Sequence, residues 1–83
     1  MSDWCVYILH CADDTLYTGV TNDTDRRVHE HNHSDRLGAK YTRIRRPVRL
    51  IYKELYETRS EACIREADIK KMSREQKIEL TQS

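Results

Sequence analysis

The chain has 83 residues, 37% hydrophobic and 35% charged, with a formal net charge of +1. That length implies one domain, residues 1–83, with a small core, and no apolar run approaches the roughly 20 residues that span a bilayer. Cys5, Cys11 and Cys63 are odd in number and include no CxxC pair, which argues against a disulfide framework and for a reduced cytoplasmic setting.

Residues Trp4 to Cys11 alternate and are rich in β-formers, which predicts a strand. Leu16 to Val20 is a second strand, and the turn between them sets what shares a face. A two-residue loop at Asp13-Asp14 puts Tyr7 and Tyr17 on opposite faces. A three-residue loop, Ala12 to Asp14, sets Tyr7 opposite Gly19 and Leu9 opposite Tyr17, so both phenols share one face. The odd loop is the preferred reading, and Gly19 across from Tyr7 leaves space above the sheet.

Thr21-Asn22-Asp23 supplies N-cap candidates for a helix over about Thr24 to Asn32. Its only large apolar residue is Val28. A helix with so little to bury directs attention to its polar face, where Arg27 and His31 lie one turn apart. His29 and His33 are also spaced i,i+4, but a zinc site there lacks the paired cysteines or further ligands that would complete it.

Residues 34–47, SDRLGAKYTRIRRP, read as a long ordered loop. From Arg36 to Lys53 there are seven basic residues and no acid. Arg36, Lys40, Arg43, Arg45 and Arg46 with Tyr41 interleaved suit a phosphate backbone with base stacking, so these six are the candidate nucleic-acid contacts. Val48 to Tyr56 is a third strand, with Val48, Leu50 and Tyr52 expected on one face and Arg49 and Lys53 on the other. Thr58-x-x-Glu61 and Ser73-x-x-Gln76 are capping boxes. They predict helices over about Ser60 to Met72 and Arg74 to Leu80. In the first of these, Glu66 falls beside Ala62, Cys63 and Ile69. A carboxylate in an apolar stripe is costly unless it is paired or holds a cation.

In order and spacing, these residues resemble the GIY-YIG nuclease superfamily, in particular its small stand-alone bacterial branch (YhbQ-like proteins). V-Y-I around Tyr7 and Y-T-G around Tyr17 and Gly19 match its two-part signature, ten positions apart. R-R-V-x-x-H matches its arginine and histidine at Arg27 and His31, A-x-x-x-E-x-x-I-K its carboxylate at Glu66, and G-A-K-Y-T is typical of the branch. Thr18 replaces the isoleucine of the second motif. No asparagine follows Asn32 where many members carry a late one, with Gln76 as the nearest substitute.

The resemblance implies an α+β fold: a three-stranded antiparallel sheet flanked by helices in the order β-β-α-β-α-α. It implies hydrolysis of phosphodiester bonds in DNA, or RNA, with one Mg²⁺ or Mn²⁺ ion on Glu66. Catalytic roles then fall to Tyr7, Tyr17, Gly19, Arg27 and His31. Tyr17 is the expected base, and Tyr7 and His31 position it or relay its proton. The expected partners are nucleic acid, DNA before RNA, and no membrane, with a protein that supplies target specificity left open. There are two rival readings: a nucleic-acid-binding module without turnover that uses the same fold and basic stretch, and an adapter that docks onto a larger nucleic-acid enzyme through its C-terminal helix, whose only large apolar residues are Ile78 and Leu80.

Overall fold

The computed structural model describes residues 3–82. Strands β1 (Trp4–Cys11) and β2 (Leu16–Thr21) form a hairpin, followed by helix α1 (Thr24–His33) and a short helix α2 (Lys40–Arg43). Strand β3 (Val48–Tyr56) precedes helices α3 (Arg59–Lys70) and α4 (Arg74–Thr81). The sheet is antiparallel in the order β2-β1-β3. The strands and long helices match the sequence reading to within a few residues. The difference is α2, a helical turn within the stretch expected to be a loop.

The hairpin turn is the three-residue one. Cys11 N–H donates to Thr15 O at 2.9 Å, and Asp14 N–H to Cys11 O at 3.0 Å. Asp14 takes φ 68°, the left-handed conformation that such loops require and that Asp tolerates. Asp13 holds the turn through Thr15, accepting from its hydroxyl at 2.6 Å. Tyr7 therefore faces Gly19 and Leu9 faces Tyr17.

β1 is the central strand and is buried on both faces. Val6 and Ile8 pack with Ala62 and Ile69 under α3. Tyr7, Leu9 and Cys11 pack with Val48, Tyr17 and Val28 under α1. The β1–β3 register shifts between Ile8 and Leu9: Ile8 faces Tyr52 and Leu9 faces Leu50. Ile51 is thus an extra residue, a bulge that reverses the alternation of β3. Val48 lies on the α1 face and Tyr52 packs on the α3 face, so the expectation that they share a side does not hold.

Both long capping boxes form, at Thr58–Glu61 and Ser73–Gln76. On β3, Glu54 accepts from the hydroxyls of Tyr52 and Tyr56 and from Arg65 of α3, whose Nε and Nη2 lie at 2.9 and 3.1 Å. Burial works against the Glu54 charge, but Arg65 and the two phenols outweigh it and hold the pKa at about 2.

Candidate active site

The β1–β2 pairing, α1 and α3 converge on one cavity of about 460 Å³. Its lining includes Tyr7, Tyr17 and Gly19 from the hairpin, Arg27 from α1 and Glu66 from α3. Five residues expected from the sequence thus border a single space. His31 lies behind them, fully buried.

Gly19 is required by close approach. A Cβ there would stand 2.6 Å from Cζ of Tyr7. The Tyr7 ring cannot yield easily, because it is 1% exposed and its hydroxyl is bonded to His31. The glycine therefore keeps the Tyr7 hydroxyl at the cavity wall.

His31 Nε2 lies 2.9 Å from Tyr7 Oη, and Nδ1 lies 2.8 Å from Thr42 Oγ1. The backbone N–H of Ala39 also donates to Nδ1, at 3.3 Å. That N–H can only donate, which assigns Nδ1 as the acceptor and leaves the ring proton on Nε2, donated to Tyr7. Burial, with Arg27 and Arg46 nearby, pushes the His31 pKa down to about 4, so the ring is neutral at physiological pH. Burial pushes Tyr7 up to about 12, against the opposing influence of Arg27. Tyr7 is thus a neutral phenol whose oxygen already accepts from His31, and its own proton is free to turn to the cavity.

Arg27 is half-buried and donates to Glu30 Oε1 at 2.9 Å and to Leu37 O. Burial opposes its charge, and bonds to Glu30 and Tyr7 outweigh that and raise its pKa. Arg26 points away, to Asn22. Tyr17 is packed on three sides by rings, with Tyr41 stacked at 5.8 Å, His31 edge-on at 5.2 Å and Tyr7 at 6.4 Å. Glu66 keeps a quarter of its side chain exposed, and Lys70 lies at 3.4 Å. Rather than interrupting the buried Ala62–Ile69 stripe, Glu66 flanks it with Arg59 and Cys63 on the cavity side.

Among the described residues no group of three or more His, Cys, Asp or Glu side chains gathers to form a metal cage. His29 and His33 stack at 4.6 Å without a third donor. A single carboxylate in an open, polar-lined cavity nevertheless fits Mg²⁺ or Mn²⁺, since Mg²⁺ keeps several of its waters and is held through one or two carboxylates.

The six candidate nucleic-acid contacts separate. Arg36, Lys40 and Arg43 are exposed and carry no ion pair among the described residues. Tyr41 lies against Tyr17. Arg45 sits over the Tyr41 ring at 3.9 Å and pairs with Asp13 at 3.0 Å. Arg46 turns inward, with Nε donating to His31 O at 2.7 Å, Nη2 to Ser34 O and Nη1 to Asp35. Gln76 is held in its own capping box, its Oε1 accepting from Ser73 N–H at 2.9 Å, and does not line the cavity. Sequence reasoning passed over Thr42, Trp4 and Arg59. Thr42 sits in the quoted G-A-K-Y-T motif, and Trp4 is the only tryptophan, three residues before Tyr7.

Comparison with known proteins agrees with this fold. Residues 3–79 match the family model described as the GIY-YIG catalytic domain. A protein of Staphylococcus aureus strain Mu3 named "UPF0213 protein" is 50% identical over 80 residues, covering 96% of this chain and 95% of its own. The solution NMR structure of the UPF0213 protein BH0048 from Bacillus halodurans is 42% identical, with a TM-score of 0.60 over 95% of this chain and 82% of that one. The solution NMR structure of EF2693 from E. faecalis is 45% identical, with a TM-score of 0.64 over 99% of this chain and 84% of that one. The chain therefore belongs to the GIY-YIG catalytic-domain family, a nuclease superfamily, and its similar relatives are bacterial UPF0213 proteins.

Proposed function

We propose that this protein is a divalent-metal-dependent endonuclease that hydrolyses phosphodiester bonds in DNA. One observation carries the reading: Tyr7, Tyr17, Arg27 and Glu66, drawn from four elements, face one cavity that Gly19 keeps open.

In this reading a phosphodiester enters the cavity with its non-bridging oxygens toward Arg27. The planar guanidinium offers paired N–H groups to the oxygens that gain charge in the pentavalent transition state. Tyr7 donates its O–H to orient the attacking water or a phosphate oxygen, and His31 holds the phenol in place from behind. Tyr17 is the general base that takes the proton of the water. The new O–P bond forms as the bond to the departing nucleotide oxygen breaks, and that oxygen takes a proton from solvent. Glu66 is the residue that would hold Mg²⁺ or Mn²⁺, which supplies Lewis-acid stabilisation of the phosphate and the leaving oxygen.

The test is cleavage of supercoiled plasmid and branched DNA with Mg²⁺, with Mn²⁺ and with chelator, alongside Glu66→Ala and Arg27→Ala. Metal-dependent nicking by the parent protein is expected, with loss of about 10²–10³ in rate for Arg27→Ala and no detectable nicking for Glu66→Ala. Nicking that persists unchanged in Glu66→Ala overturns the assignment. Binding at low salt without cleavage by any preparation points instead to a binding module, a reading favoured by the commitment of Gln76 to its cap.

A further inference from the structure

Two residues of the cavity wall have no part in the chemistry above. Arg59 of α3 and Trp4 of β1 both line it. The Arg59 guanidinium lies 5.7 Å from the centre of the Trp4 ring, close enough for a cation–π contact that restrains it. Trp4 in turn is packed against the core under α3. Arg59 is thus an exposed cation on a fixed support.

Its position is electrostatically unfavourable for the fold. Arg59 is the first residue of α3, directly after the Thr58 cap, where the helix macrodipole favours an anion and opposes a cation. No carboxylate pairs with it among the described residues. A local rule broken without a compensating carboxylate points to function. The three charged residues of the cavity wall are Arg27, Arg59 and Glu66, and Arg27 already engages Glu30. Arg59, Cys63 and Glu66 line one stripe of α3, which sets Arg59 two turns from the carboxylate. A cavity of about 460 Å³ falls in the range of clefts that enclose whole small ligands, so it holds more than one phosphate group.

We infer that Arg59, braced by Trp4, is a second phosphate anchor that grips the backbone next to the scissile phosphate. The site then reads a polynucleotide strand running past Glu66 onto the first turn of α3, and not an isolated phosphodiester. This deepens the proposed function and rests on it only in taking the ligand to be a polynucleotide.

The experiment measures binding in a Glu66→Gln background, where cleavage does not interfere. A labelled single-stranded oligonucleotide is titrated across a range of salt concentrations. Arg59→Ala is compared with Lys71→Ala, an exposed lysine of equal charge outside the cavity. Thermal melts confirm that each variant folds. Arg59→Ala is expected to weaken binding several-fold at low salt and to lower the salt slope by about 0.7, one single-strand phosphate contact, while Lys71→Ala leaves the slope in place. Equal slopes for the two variants overturn the anchor and leave the nuclease reading untouched. An Arg59 effect in a protein whose parent never cleaves supports the anchor and removes the nuclease reading. Absence of any oligonucleotide binding overturns the anchor and leaves the nuclease reading to the plasmid and branched-DNA assay.

Discussion

Thr18 stands where the family signature usually carries isoleucine, and it is 4% exposed, with its hydroxyl lacking a hydrogen-bond partner among the described residues. An unpaired buried hydroxyl costs about 1–3 kcal/mol. Thr18→Val removes the oxygen and keeps the shape, so we expect it to raise stability by about 1 kcal/mol, read as a shift in urea midpoint without a change in slope. No such gain would mean that the hydroxyl finds a water. The fate of the other polar residues was only partly legible. The sequence presented Arg45 and Arg46 as equal members of a basic run, because a charge count carries no information about partners. Arg45 lies over Tyr41 and pairs with Asp13, and Arg46 donates to the carbonyls of His31 and Ser34. Tyr7 and Tyr17 were easier, since a three-residue loop between their strands places them on a shared face.

α1 is short, with Val28 as its only large apolar side chain, so hydrogen bonds must hold what packing does not. Asn32 clamps it to β3, donating to Val48 O at 2.9 Å and accepting from Val48 N–H at 2.7 Å. Arg46 closes its C-terminal end. Arg46→Ala is therefore expected to cost about 1–3 kcal/mol of stability, through the loss of charged hydrogen bonds. The salt dependence of nucleic-acid binding should stay as it was, and Arg43→Ala should show the reverse pattern. A lowered salt slope in Arg46→Ala would show that it reaches phosphate after all. Two features of the elements escaped the sequence. α2 has four residues, too few for an apolar period, and it forms around the Thr42–His31 bond. The bulge in β3 lies within Leu50-Ile51-Tyr52, a run apolar enough to satisfy either phase of alternation. Capping boxes and the hairpin loop were legible because their chemistry is local.

The stability of the whole molecule depends on acidity through two buried arrangements. His31 has a folded-state pKa of about 4 against an ordinary value near 6.5. An unfolded chain therefore binds a proton that the folded one refuses. Stability is complete above pH 6.5 and is lost as pH falls toward 4, by about 2 kcal/mol at pH 5 from this residue. Glu54, held at about 2, adds its loss only below its ordinary value of 4.5. Urea midpoints are expected to be lower at pH 5 than at pH 7, with the difference reduced in His31→Gln, and a difference that His31→Gln leaves unchanged would show that His31 is not buried neutral. For a domain whose total stability is about 5–15 kcal/mol, that loss is substantial. Much of the architecture could be read in advance because β1 is buried on both faces and organises everything around it. The meeting of Trp4 with Arg59 in the cavity wall could not, since they are 55 positions apart and nothing local links them. The three-residue turn at Ala12–Asp14 also restricts how such a gene can change. A codon gained or lost there turns β2 over, carrying Tyr17 and Gly19 to the opposite face and pressing a side chain toward Tyr7. Viable insertions in that loop should come in pairs, so its length drifts by even steps while the loops at 34–47 are under no such arithmetic.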